Sequence, residues 1–257
     1  MLKFNFLGTC SGTEPFENMH HCSWVLGCGG KNYWFDAGEN CAHRAYCDGI
    51  EVMNTAVLFV SHPDIDHVGG FANLLALFNK LIERNKQTLV CNNTLKIFFP
   101  DLDFLKTLEK VVTWNGKRKL KFEIDRNPIS DGELFCDENV RVSAIHNTHL
   151  HENGTNGYHS YSFLIESEGK RIVFSGDVSH PSELDPLIAD GCDMLIMETG
   201  HHRVEEVIKY AKAKNAKRLR FIHHGRQILE NRAECEQICK DSGMDAVICH
   251  DGMTYEM

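Results

Sequence analysis

Short apolar runs bounded by turn residues dominate the first quarter of the chain. Residues 2–7, 23–26 and 31–35 have strand length and strand composition, and residues 56–60 are apolar throughout, as in a strand buried on both faces. A short helix is predicted after Asp36-Ala-Gly-Glu39. The period then changes: Phe71, Leu74, Leu75, Phe78 and Ile82 recur every three or four positions, which predicts a helix with one face in a core. Beyond a mixed middle region, residues 140–144, 158–165 and 171–174 alternate as strands, the last two joined across Glu166-Ser-Glu-Gly169. The final third alternates strand and helix: strands at 194–197, 219–222 and 246–249, a helix marked by Val204, Val207, Ile208 and Ala211, and another over 227–240. Runs of strands in both halves, each passing into strand–helix alternation, predict an α+β fold, a β-sandwich with helices on its outer faces in four αββα layers.

No repeat, low-complexity stretch or Pro/Gly-rich linker interrupts the 257 residues, so residues 1–257 are expected to form a single domain. No apolar run approaches the roughly 20 residues that cross a bilayer, and the N-terminus has neither the h-region nor the cleavage site of a signal peptide. Eleven cysteines without a C-x-x-C or a paired framework suit reduced thiols, and the expected location is the cytoplasm. The formal charge of −9 makes a long nucleic acid an unexpected partner. Two local cationic sets stand against that background, Lys117-Arg-Lys-Leu-Lys121 and Lys209, Lys212, Lys214, Lys217 with Arg218. Runs of this kind ordinarily form solvated faces.

The densest chemistry follows the apolar run at 56–60. Ser61 leads into His62-Pro-Asp64-Ile-Asp66-His67, and Gly69-Gly70 follows. In an extended segment His62, Asp64 and Asp66 would project to one side, and Pro63 keeps His62 out of the helical region. Four nitrogen and oxygen donors within six residues suit zinc, manganese or iron.

This stretch resembles the H-x-H-x-D-H signature of the metallo-β-lactamase superfamily. The Leu7-Gly-Thr-Cys-Ser-Gly12 opening and Phe35-Asp-Ala-Gly-Glu39 resemble its phosphodiesterase branch, which includes tRNA 3′-processing endonucleases and cyclic-nucleotide phosphodiesterases. His149 corresponds to the third-motif histidine, Asp177 in Phe174-Ser-Gly-Asp177 to the carboxylate that bridges two metals, and His223 to the last ligand. The resemblance implies two divalent ions, zinc first and manganese or iron as alternatives. One would be held by His62, Asp64, His149 and Asp177, the other by Asp66, His67, Asp177 and His223. Asp64 replaces the family's second histidine, which makes that site harder and more anionic, as in di-iron members. His146 and His151 compete with His149 for its role, while His224 and His250 are expected in supporting, core or surface positions.

The resemblance also implies a mechanism. A hydroxide shared by the metals attacks phosphorus, Asp66 orients it, and His201 protonates the leaving oxygen with Glu198 as its hydrogen-bonded partner. His201 is expected at the start of the helix after Glu198-Thr-Gly200. In tRNA-processing relatives a long arm that grips the tRNA body is inserted between the positions of Tyr158 and Asp177, whereas here a short turn joins the two strands. A small phosphodiester such as a cyclic nucleotide is therefore the expected substrate. RNA 3′-processing and thioester or lactone hydrolysis are the alternatives. A homodimer is expected by analogy, with helices in the region 80–120 supplying the interface.

Overall fold

The computed structural model of the protein describes residues 1–150 and 159–257. His151, the rival of His149, and Tyr158, the expected first residue of a strand, lie outside the described residues. The chain forms two compact units. The first comprises residues 1–8, 16–128 and 251–257, and the second residues 9–15 and 129–250.

In the first unit, strands β1 (Lys3–Gly8), β2 (Ser23–Cys28) and β3 (Lys31–Phe35) are followed by α1 (Cys41–Cys47), β4 (Thr55–Phe59), α2 (Ile65–Val68), α3 (Phe71–Asn85), β5 (Thr94–Phe99), α4 (Leu102–Thr113) and β6 (Glu123–Pro128). The seven-stranded sheet runs from the C-terminal strand Thr254–Glu256 through β1, β2, β3, β4 and β5 to β6. Pairing is antiparallel up to β3 and parallel from β3 onward, where each return crosses over through helix. One face of the sheet packs Trp34, Leu58 and Ile97 against Phe71, Leu74, Leu75 and Phe78, the stripe read from the sequence. The other face carries a stacked aromatic row, Trp24–Phe35–Phe59–Phe98, at centroid spacings of 4.3, 5.1 and 5.2 Å.

In the second unit, β7 (Gly132–Cys136), β8 (Arg141–His146), β9 (Tyr161–Ser167) and β10 (Lys170–Phe174) precede α5 (Asp185–Ile188), β11 (Met194–Thr199), α6 (Val204–Ala213), β12 (Arg218–His224), α7 (Arg226–Asp241) and β13 (Asp245–Ile248). These strands form a seven-stranded sheet in the order β13-β12-β11-β10-β9-β8-β7, parallel from β10 to β13 and antiparallel from β7 to β10. Val173, Leu195, Met197, Leu219 and Phe221 meet Val204, Val207, Ile208 and Ala211 of α6 in its helical layer.

Three expectations change. The metal motif is extended only as far as Asp64, because Asp64 caps α2 and its carbonyl accepts from His67 N–H (2.8 Å) and Val68 N–H (3.1 Å). Asp66 and His67 therefore leave a helical turn rather than alternate along a strand. His201 lies in the loop between β11 and α6, not on the helix, whose first residue is Val204. The region 80–120 holds the end of α3, β5 and the single complete helix α4, which Asp101 caps by accepting from Asp103 N–H and Phe104 N–H.

Candidate metal centre

The first cluster hangs from the end of β4. Ser61, His62 and His67 are fully buried, Asp66 nearly so, and Asp64 is half-exposed. Behind them stands Asp36, at the end of β3 with a left-handed backbone (φ 60°) and no exposure. Its carboxylate accepts from Ser61 N–H (2.6 Å), Ser61 O–H (2.9 Å) and His67 Nδ1–H (2.8 Å). A carboxylate on Nδ1 fixes the tautomer and leaves the Nε2 lone pair as donor. His62 follows the same logic one step removed, its Nδ1 lying 3.0 Å from Ser61 Oγ. The two rings are 3.9 Å apart, with His62 Nε2 3.7 Å from Asp64 Oδ2 and His67 Nε2 3.5 Å from Asp66 Oδ2. Donors bonded to one tetrahedral ion at ~2.1 Å lie roughly 3.4 Å from each other, so these spacings fit a divalent metal. Cys22 Sγ lies within 4.8 Å of ligand atoms of Asp36 and His67.

The second cluster sits at the ends of β10, β11 and β12. Asp177, nearly buried, follows Gly176, whose φ of 55° turns the chain out of β10. Its Oδ2 faces His223 Nε2 at 3.2 Å, His201 Nε2 at 3.4 Å and His149 Nε2 at 3.8 Å. The His223 and His149 distances again match donors around an ion. His223 has φ 50°, in the left-handed region, where the β11–β12 register shifts by a residue. A bulge of this kind re-aims a side chain at a strand end. Glu198, fully buried on β11, accepts from His201 N–H (3.0 Å) and Val178 N–H (3.4 Å) and approaches His202 Nε2 at 3.3 Å and His223 Nδ1 at 3.8 Å. The hydrogen bond to Asp177 holds the His201 imidazolium above its ordinary value of 6.5, partly offset by burial and aided by Glu198.

The structure thus gathers His62, Asp64, Asp66 and His67 in one unit, and His149, Asp177, Glu198, His201 and His223 in the other. His146 instead pairs with Asp131 at 2.7 Å. His224 is a core residue, its Nε2 2.9 Å from the Cys249 carbonyl, and burial pushes it down to about 3. Sequence reasoning missed the roles of Asp36 and Ser61, although Asp36 lies in a quoted motif at the end of a strand.

A family model described as Anti-Pycsar protein Apyc1 matches residues 2–240. Ribonuclease Z of Methanothermobacter thermautotrophicus is 22% identical over 87% of this chain and 86% of its own. Among solved structures, the metallo-β-lactamase fold protein YhfI from Bacillus subtilis superposes with a TM-score of 0.77 at 16% identity, covering 100% of both chains. The short form of human tRNase Z gives 0.73 at 18% identity, covering 99% of this chain and 98% of its own. The fold is the metallo-β-lactamase αββα sandwich.

Proposed function

Because the chain belongs to the family described as Anti-Pycsar protein Apyc1, and with it to the metallo-β-lactamase superfamily as a metal-dependent hydrolase, we propose that it cleaves a small phosphodiester, a cyclic nucleotide foremost, using two divalent cations. The observation that carries the reading is the Asp177 carboxylate oxygen faced by three imidazoles within 3.8 Å. A buried carboxylate in that setting is suited to bridge two cations.

In the proposed assignment His62, Asp64, His149 and Asp177 hold one ion, and Asp66, His67, Asp177 and His223 hold the other. Zinc is the first choice, with manganese or iron next because Asp64 adds an anionic oxygen donor. When bound, the cations would supply Lewis acidity toward the phosphoryl oxygens and lower the pKa of a water toward about 7. Asp66 accepts a hydrogen bond from the attacking water and aims it in line with the leaving group. His201, 45% exposed with Nε2 3.4 Å from Asp177, would in its protonated form donate to the leaving oxygen. Glu198 holds the His201 backbone so that the imidazole stays in reach.

RNA 3′-processing is the second reading, favoured by the similarity to ribonuclease Z along most of the chain. Against it, β9 and β10 are joined by the tight turn Glu168-Gly169, at the place where the tRNA-gripping arm is expected. The proposal includes a homodimer, which light scattering tests. To test the substrate, protein stripped by chelation and reloaded with zinc, manganese or iron is assayed on 3′,5′-cyclic nucleotides, bis-p-nitrophenyl phosphate, a thioester and a tRNA precursor. Cyclic nucleotides are expected to give the highest kcat/KM. A tRNA precursor cleaved as efficiently, or turnover of the thioester alone, overturns the reading.

A further inference from the structure

The Lys117–Lys121 run, which the reaction leaves unused, is exposed at Lys117, Arg118, Lys119 and Lys121, and its last four residues border a concavity. In the first unit the chain leaves α4 through three consecutive left-handed residues, Trp114, Asn115 and Gly116 (φ 52°, 54° and 80°), and folds back toward α3. Both ends of this return are fastened. Asn115 N–H and Arg118 N–H donate to the last carbonyls of α4, those of Lys110 and Thr113, at 2.9 Å each. Lys121 N–H donates to Asn79 Oδ1 on α3 (2.7 Å), and its carbonyl accepts from Asn93 Nδ2 (2.6 Å). The return borders an open cleft of about 470 Å³ lined by the exposed side chains of Lys80, Arg118, Lys119 and Lys121, with Asn79 and one carboxylate, Glu83. Four cations against one anion in a single concavity is a marked local excess in a chain of net charge −9. The Arg118 guanidinium lies 3.7 Å over the Trp114 ring, which preorganises it without spending its charge on a carboxylate.

We infer that this cavity is a second ligand site, separate from the metal clusters, for the di- or triphosphate group of a small molecule. Its volume falls in the range of small-molecule pockets. Arg and Lys converging on one concavity suit phosphate oxygens through charge-assisted hydrogen bonds. The wall carries few apolar groups, chiefly Val112 and Leu120, so the phosphates rather than a base supply most of the recognition.

Calorimetric titration of the full chain at about 0.1 M salt with inorganic tripolyphosphate and with ATP tests the site and distinguishes its two sources of polyphosphate. Saturable binding is expected, at least tenfold weaker in R118E/K119E and unchanged in D66A. Trp24 and Trp34 are buried while Trp114 is 59% exposed, so a fluorescence change on binding should vanish in W114F while the calorimetric signal persists. R118Q/K119Q, checked by circular dichroism, replaces the charge-reversed variant if that one fails to fold, with the same weakening expected. R118E/K119E should hydrolyse bis-p-nitrophenyl phosphate at the wild-type rate. No binding by the wild type overturns the inference, as does binding lost in D66A but not in R118E/K119E, or an equal loss in K209E/K240E. A change of oligomeric mass in R118E/K119E with unaltered polyphosphate binding also overturns it, because the face would then join copies of the chain.

Discussion

Asp36 makes no bond to substrate in the proposed reaction, yet it ties β3, Ser61 and His67 together through one carboxylate. Asp36→Asn keeps the volume but cannot hold His67 Nδ1–H as a carboxylate does. Metal affinity is expected to fall about 10- to 100-fold, measured by competition with a chromogenic chelator. His201, whose pKa the Asp177 hydrogen bond raises above its ordinary value, can act as a general acid only while protonated, so activity should fall as pH rises through its pKa. His201→Gln is expected to lower kcat by about 10²–10⁴ and to remove that alkaline limb from the pH profile. His224 acts on stability. Its folded-state pKa of about 3 lies below the unfolded 6.5, so the unfolded chain binds the extra proton between those values. Stability is therefore lost as pH falls from 6.5 toward 3, by up to about 1.4 kcal/mol per pH unit from this group. His224→Gln, which keeps a donor for the Cys249 carbonyl, should flatten that slope in urea titrations at several pH values. The candidate donors of the 62–67 stretch were legible because N and O donors concentrated after an apolar strand are rare, whereas His149, Asp177 and His223 were singled out by resemblance alone. Asp36 was not, because its function arises from a left-handed turn and from partners 25 and 31 positions away.

At the level of elements, several interior strands and helices follow the apolar periods closely: β3 coincides with the expected residues 31–35, and α3, α6 and α7 begin within a residue or two of their first predicted positions, whereas β5 and α4 fall in the mixed stretch for which no element was assigned. The edge strands β6 and β7 escaped notice. Each pairs on one side only and neither contains a buried residue, so they carry no alternation to read. The helical turn α2 was also hidden, since four residues cannot display a period. Loop geometry at strand ends is set by contacts that no local pattern records. At Gly200, between β11 and α6, an added Cβ would lie 2.6 Å from His223 Nδ1. Gly200→Ala must therefore displace the imidazole. We expect a loss of about 1–3 kcal/mol in stability by chemical denaturation, and weaker metal retention than in a control Gly27→Ala, where an added Cβ meets only ordinary contacts at 3.6–3.7 Å.

For the whole molecule, the superfamily fold was legible because its motifs occur in order along nearly the entire chain, whereas substrate identity depends on surfaces that the motifs do not encode. Among the described residues no helix is long and apolar enough to cross a membrane. Cations bound by the native state alone add RT ln(1 + [M]/Kd), about 4 kcal/mol at a thousandfold excess over Kd. Chelation should accordingly lower the melting temperature by several degrees, and added zinc should restore it. The central claim is that donors from both clusters hold a pair of cations on which hydrolysis depends. Metal content per chain, determined by inductively coupled plasma mass spectrometry alongside turnover of bis-p-nitrophenyl phosphate, tests it most directly. The account predicts about two equivalents in the wild type, and at most about one, with turnover abolished, in Asp177→Ala. Full turnover by metal-free protein, or an Asp177→Ala variant equal to wild type in both quantities, would contradict it.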